Sequence, residues 1–166
     1  MTRQHAMERI LAAYSGYYDI NIEDPMPPFI AEAEFNLHDE QYFLVRSARI
    51  AEYDSREIVF FAAPEVLDLA TFRMLDEIAW TNGLSRVQVT ENHKNTDIAL
   101  FIVADEIDTR VIREAEKIRR YKKYMYGLRG WSGYRLIICD VKNRQYVCNR
   151  LGSNLGEIAH SVFCRK

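Results

Sequence analysis

The run Ile58-Val59-Phe60-Phe61 constrains the fold most, because it is apolar at every position. A β-strand points alternate side chains to opposite faces of its sheet, so this run presents an apolar surface on both faces. Strands of that kind lie inside a sheet and are covered on both sides. Pro64 then ends the run. The run therefore predicts a central strand.

The remaining hydrophobic periods predict the element order α-βββ-α-ββ-α-ββ-α. Thr2, Asp68 and Asp108 stand where helix N-caps are expected, and Asn82-Gly83 is typical of a helix end. The last helix is predicted over 155–163. Strands are predicted at 31–37, 41–52, 58–61, 86–90, 97–104, 134–141 and 145–149. This order indicates an α+β fold with a mixed or mostly antiparallel sheet.

Size and composition favour one domain over residues 1–166. The chain has 166 residues, 48% hydrophobic and 28% charged, which is enough to bury a core. Residues 24–28 hold three of the four prolines and are predicted to be a stiff connector. The sequence shows no apolar run of membrane-spanning length, no secretory pattern and no C-x-x-C spacing. We therefore expect a cytoplasmic protein with no membrane partner.

The charge of the chain changes sign between Thr109 and Arg110. Residues 1–109 carry a net charge of −12 and residues 110–166 carry +10, within a total of −2. A basic part of this kind favours an acidic partner. The complementary parts of two copies would also attract each other. The asymmetry therefore leaves both nucleic acid and a homo-oligomer open as partners.

The third helix is predicted over residues 110–126, with a basic and aromatic exposed face. That face carries, in order, Arg110, Arg113, Lys117, Arg120, Tyr121 and Tyr124. Cations that neutralise phosphates, beside rings that stack on bases, are typical of nucleic-acid binding. An ordinary solvated face, with cations near a helix C-terminus, is the alternative. Arg119 and Lys122 fall within the apolar arc, so either the helix ends earlier or their stems reach solvent.

Three glycines, Gly127, Gly130 and Gly133, lie between this helix and the next strand. A glycine-rich loop can turn tightly and present N–H groups to an anion, with Arg129 as an additional donor. However, this loop follows a helix C-terminus, where the dipole opposes an anion. A helix end followed by a turn is therefore the alternative to an anion site.

Asp105, Glu106 and Asp108 lie where a strand leads into the basic helix. Clustered carboxylates can hold Mg²⁺ or Ca²⁺, and they also stabilise a helix N-terminus, so both interpretations stay open. By element order, residues 3–104 resemble the restriction-endonuclease-like core. That resemblance implies an Asp and a Glu-x-Lys on adjacent strands for metal-dependent phosphodiester hydrolysis. Here Glu57 is followed by Ile58 and Val59, so Glu-x-Lys is absent.

The cysteines and histidines predict no catalytic residue and no cofactor. The four histidines are dispersed, and no serine stands in a G-x-S-x-G elbow. One geometric prediction concerns the last hairpin. If Asn143-Arg144 is a two-residue loop, Cys139 lies directly opposite Cys148 as a cross-strand thiol pair.

The stretches Tyr42–Phe61 and Tyr121–Ile138, with Gly130-Trp131-Ser132 between helix and strand, resemble a bacterial family of uncharacterised proteins. The resemblance implies no activity and no site residues. The leading expectation is a non-catalytic domain of unknown function that binds a partner or itself. Nucleic-acid binding through the basic helix and a divergent metal-dependent nuclease or hydrolase are the alternatives.

Overall fold

A computed structural model describes residues 1–36 and 54–164. The strand predicted at 41–52 lies outside the described residues. The helices are α1 (Arg3–Tyr14), α2 (Leu69–Ser85), α3 (Thr109–Lys117) and α4 (Gly156–Cys164), and short 3-10 turns cover Met125–Gly127 and Leu151–Leu155. The strands are β1 (Asp19–Asn21), β2 (Ala31–Asn36), β3 (Asp54–Ala62), β4 (Val66–Leu67), β5 (His93–Ala104), β6 (Glu106–Ile107), β7 (Tyr121–Lys123), β8 (Trp131–Asp140) and β9 (Gln145–Cys148).

Seven of the described strands form one mixed sheet in the order β1-β2-β3-β5-β8-β7, and β9 also pairs with β8. The three central strands, β3, β5 and β8, are parallel, while the outer strands pair antiparallel to their neighbours. Parallel neighbours need a crossover, and α2 and α3 provide the two crossovers here. The predicted α+β fold with a mixed sheet is confirmed.

Helices cover both faces of the central strands, which explains the apolar run in β3. Val59 and Phe61 pack in the core beneath α1 and α4, whereas Ile58 and Phe60 pack beneath α2 and α3. All four side chains are buried. The prediction that this run is a central strand is confirmed.

The three predicted N-caps are confirmed. The Thr2 hydroxyl accepts from the His5 N–H, the Asp68 carboxylate from the Thr71 N–H and the Asp108 carboxylate from the Arg110 N–H. Just before the last two caps, β4 and β6 pair in parallel. The chain therefore enters α2 and α3 through the same short strand and aspartate cap.

The predicted end of α2 at Asn82-Gly83 is wrong, since the helix continues to Ser85. Gly83 serves packing instead, because a Cβ there would lie 2.6 Å from Cγ2 of Ile98 on β5. The predicted strand at 86–90 is also wrong, since those residues form a turn and an irregular link. At Gly83 the close contact between α2 and β5 overrides the local helix-end signal.

The predicted hairpin of β8 and β9 forms, but its predicted register is wrong. Asp140 pairs with Gln145, so the loop has the four residues between them instead of two. Cys139 consequently lies opposite Tyr146, and Cys148 lies opposite Ile137. Both thiols are free. Burial raises the pKa of the Cys139 thiol far above its ordinary value, which keeps it protonated and unreactive.

Candidate functional site

The predicted basic helix over 110–126 is wrong in its extent, because α3 ends at Lys117. The next residue, Ile118, has extended backbone and packs its side chain against the core beneath α2 and α3. The chain then joins the sheet as β7, where Tyr121 pairs with Gly133 and Lys123 with Trp131. Pairing with β8 therefore competes successfully with continuation of the helix.

A tight turn connects β7 to β8 and is built on left-handed backbone. Met125, Tyr126, Gly127 and Gly130 all have positive φ, at 46°, 56°, 94° and 78°. The N–H groups of Gly127 and Arg129 donate to the Tyr124 carbonyl at 2.9 and 3.2 Å. The Gly130 N–H donates to the Gly127 carbonyl at 3.2 Å. These amides are used inside the turn, so the glycine loop does not present them to an anion.

The base of this hairpin is fixed to β5 by close packing and hydrogen bonds. A Cβ at Gly130 would lie 2.0 Å from the carbonyl oxygen of Lys94, so only glycine fits there. The buried His93 ring holds the Arg129 carbonyl through Nδ1 at 2.6 Å and the Thr96 hydroxyl through Nε2 at 3.0 Å. Because a carbonyl only accepts, Nδ1 carries the proton. These contacts rigidly orient the turn.

Four of the residues predicted to bind nucleic acid or an anion have partners within the fold. Arg110 pairs with Asp108 at 2.6 Å, and Arg129 pairs more loosely with Glu91 at 3.8 Å. The Tyr124 hydroxyl lies 2.9 Å from the Ser132 hydroxyl, with its ring against His93. Arg120 pairs with Asp76 and Glu77 on α2 and lies over the Tyr134 ring.

The other two predicted cations, Arg113 and Lys117, are exposed on α3. Within the described part of the chain neither pairs with a carboxylate. The same holds for three exposed cations further along the chain, one in the link after α3 and two on β7. We call the five the basic edge: Arg113, Lys117, Arg119, Lys122 and Lys123.

The basic edge keeps its charge available in spite of some local contacts. Arg119 donates to the carbonyls of Glu116 and Ile118, which are neutral groups. Lys122 lies over the Tyr124 ring at 5.5 Å, an attraction that leaves the ammonium charged. One exposed carboxylate, Glu116, lies among the cations on α3. The surface is therefore predominantly but not uniformly positive.

Next to the basic edge, the turn exposes a set of large apolar side chains. Tyr126 is fully exposed, Leu128 is 83% exposed and Met125 is 61% exposed. We call these three residues the apex. Tyr121 on β7, at 53% exposure, adds a second accessible ring. Sequence reasoning missed the apex, because Met125 and Tyr126 fell within the helix predicted over 110–126 and Leu128 fell within the glycine loop after it.

The predicted metal candidates are each engaged by a different basic or backbone group. Asp105 accepts from Arg3 at 2.8 Å, Glu106 accepts from Lys142 at 3.1 Å and Asp108 caps α3. Across residues 1–36 and 54–164, no group of three or more His, Cys, Asp or Glu side chains is arranged to hold a metal. These three carboxylates therefore serve in ion pairs and in helix capping.

Sequence reasoning also missed an ion-pair network across the three central strands. Arg135 on β8 donates to Glu57 on β3 at 3.0 Å and to Asp97 on β5 at 2.6 Å. Glu57 also accepts from the Tyr18 hydroxyl. Burial raises the pKa of Asp97, while Arg135 and two hydrogen bonds act in the opposite direction. One arginine thus forms ion pairs with carboxylates on two other strands of the sheet.

A sequence model of the family described as a domain of unknown function (DUF8052) matches residues 2–160. The chain belongs to this family. The expected resemblance to an uncharacterised family is thereby confirmed, and both the basic edge and the apex fall within the DUF8052 match. No curated protein and no solved structure matches the chain. None of the described helices combines the length and the apolarity needed to cross a membrane.

Proposed function

We propose that this DUF8052 protein binds nucleic acid through the basic edge. The observation that carries the proposal is the set of five exposed cations within residues 113–123, on α3, the link after it and β7. No carboxylate within the described ranges pairs with any of them. Phosphates attract such cations in a way that depends on salt but not on sequence.

The arrangement differs from the helical stripe that the sequence predicted. Two arginines of that stripe, Arg110 and Arg120, are neutralised by aspartate or glutamate, whereas Lys122 and Lys123 on β7 add exposed charge that the predicted stripe did not include. A lysine approaches phosphate as a flexible point charge. The contacts are therefore expected to position a nucleic-acid backbone without specifying its sequence.

The test is fluorescence anisotropy of a labelled oligonucleotide, at salt concentrations between about 50 and 200 mM. Lys122→Glu/Lys123→Glu is compared with Lys142→Glu/Arg144→Glu, which changes the same charge at the exposed turn between β8 and β9. We expect the first variant to lower affinity and to reduce the slope of log K against log salt by about 1.4 for a single strand, while the second behaves like wild type. Equal effects of both variants would show that only overall charge matters. No binding at low salt would overturn the proposal.

Self-association is the second candidate, and the apex favours it. A fully exposed Tyr126 beside an exposed Leu128 is the kind of apolar contact that protein interfaces use. Static light scattering over about 10–300 μM protein tests this possibility. A dimer that is lost in Leu128→Asp would support it, and a monomer throughout that range would refute it.

A further inference from the structure

We infer that the apex stacks on unpaired bases, so that the nucleic acid bound is single-stranded or carries an unpaired segment. This inference rests on the proposed function and adds the class of substrate. Its starting point is the exposure of Tyr126, which is complete, and of Leu128, at 83%. Large apolar side chains grouped at a surface indicate a contact site more often than single ones do.

The backbone of the turn holds these side chains out in solvent. Met125 and Tyr126 both adopt left-handed conformations, at φ values of 46° and 56°, although neither is glycine. That conformation is unfavourable for a residue with a Cβ, because the Cβ approaches the following carbonyl oxygen. Strain of this kind persists where the surrounding structure imposes it, and it is concentrated at functional sites. Here the Gly130 contact and the His93 hydrogen bond fix the base of the same turn.

The neighbouring charges favour a nucleotide as the occupant of the apex. Lys122 and Lys123 precede the turn on β7, and Tyr121 on the same strand exposes a second ring. Cations that follow a phosphate backbone, next to rings on which bases stack, are the combination that binds single strands. In a duplex the base faces are already stacked on each other. A duplex therefore offers the basic edge its phosphates but offers the apex nothing to stack on.

The experiment compares a labelled 12-nucleotide oligothymidine with a 12-base-pair duplex at about 50 mM salt, by anisotropy. The variants are Tyr126→Ala, Tyr126→Phe and Tyr17→Ala, the last removing another largely exposed ring (70%) outside the hairpin. We expect Tyr126→Ala to weaken single-strand binding about tenfold or more and duplex binding less than about twofold. Tyr126→Phe, which keeps the ring, and Tyr17→Ala should both remain within about twofold of wild type.

The outcomes separate this inference from the proposed function. If Lys122→Gln/Lys123→Gln weakens binding but Tyr126→Ala does not, the basic edge binds nucleic acid and the stacking inference is overturned. Equal losses for single strand and duplex in Tyr126→Ala would also overturn it. If no oligonucleotide binds, both proposals fail. Sedimentation with vesicles of about 30% phosphatidylserine is run in parallel, and retention that depends on Tyr126 without oligonucleotide binding would assign the apex to a lipid surface.

Discussion

Asn149 and Leu136 exchange two hydrogen bonds along the outer side of β8. The Leu136 N–H donates to the Asn149 carboxamide oxygen at 3.0 Å, and the Asn149 N–H donates to the Leu136 carbonyl at 3.1 Å. The Asn149 amide also donates to the Tyr134 carbonyl at 2.9 Å, and its oxygen accepts from Gly152 at 2.8 Å. One buried side chain thereby provides hydrogen-bond partners for the backbone of β8 in the stretch that lies between its pairings with β7 and β9.

We expect Asn149→Ala to lower the free energy of unfolding by about 2–4 kcal/mol, because the buried Leu136 N–H and the Tyr134 carbonyl lose the side chain that bonds them. Urea denaturation measures this difference. The control is Asn143→Ala, which removes an exposed asparagine bonded to Asp140 at the loop surface. That change should stay within about 0.5 kcal/mol of wild type. Similar losses in the two variants would contradict the special position of Asn149.

Gly130 and Gly127 form a matched pair for testing how the hairpin is fixed. Both have positive φ, but a Cβ at Gly130 would meet the Lys94 carbonyl, whereas a Cβ at Gly127 would meet nothing within 4 Å. Gly127→Ala should therefore cost only the conformational penalty, about 1–2 kcal/mol. Gly130→Ala should cost about 2–5 kcal/mol, because steric overlap is added. Thermal and urea unfolding of the two variants measures the difference, and equal costs would show that the hairpin base yields easily.

Arg135 is expected to stabilise the centre of the sheet by neutralising two carboxylates. Arg135→Met leaves Glu57 and Asp97 without their shared cation and should cost about 2–3 kcal/mol at pH 7, allowing for partial exposure of the pair. Burial already raises the pKa of Asp97 in the wild type. Without the arginine the folded-state pKa should rise further, so the folded form would bind protons more tightly than the unfolded form. The deficit should shrink as the pH falls through that raised pKa.

Urea titrations of Arg135→Met at pH 7 and pH 4.5 measure this recovery. The double variant Arg135→Met/Glu57→Gln removes one of the two unneutralised charges and should regain part of the loss at pH 7. A deficit that is independent of pH would show that Arg135 contributes packing and not charge.

The aspartate helix caps, Asp68 and Asp108, are expected to contribute to the loss of stability at acid pH. Hydrogen bonds from the Thr71 N–H lower the pKa of Asp68, and those from Arg110 lower the pKa of Asp108. Because the folded-state pKa of each aspartate lies below the ordinary carboxyl value, the ionised cap stabilises the fold at pH values above that ordinary value. This stabilisation is lost as the pH falls through the folded-state pKa. Asparagine caps helices about as well as aspartate but does not titrate.

Asp68→Asn should therefore show a smaller loss of melting temperature between pH 5 and pH 3 than the wild type. The control is Asp24→Asn, at an exposed turn residue outside any helix cap. An equal loss of melting temperature in wild type and Asp68→Asn would show that the cap does not contribute to the loss of stability at acid pH.

Local patterns predicted those parts of the fold that depend on local chemistry. The apolar run of β3, the caps at Asp68 and Asp108 and the last hairpin all follow from side-chain periodicity or capping chemistry. The strand β7 does not, because all three of its residues are exposed and show no alternation of burial. Its conformation depends on pairing with β8, which lies beyond a turn. The misplacement of Arg119 and Lys122 in the apolar arc was the one local signal that α3 ends early.

The candidate site was predicted only in part for the same reason. Positive charge after residue 109 is visible in the sequence, but which cations remain free depends on distant partners. Arg120 meets Asp76 across 44 residues, and Arg135 meets Glu57 across 78. Such contacts arise from the order of strands and helices in space. The sequence therefore predicted a basic surface, while the tertiary packing decided its members.

The two lysines of β7 have a consequence for solubility. Among the described strands β7 is the last in the sheet and pairs only with β8, so its outer backbone groups form an open side. Lysines on such a strand discourage other chains from adding to it by β-pairing. A bound polyanion would neutralise Lys122 and Lys123 and so weaken this protection. The protein should therefore aggregate, as fibres or amorphously, more readily when a sub-saturating amount of polyanion is added than in its absence.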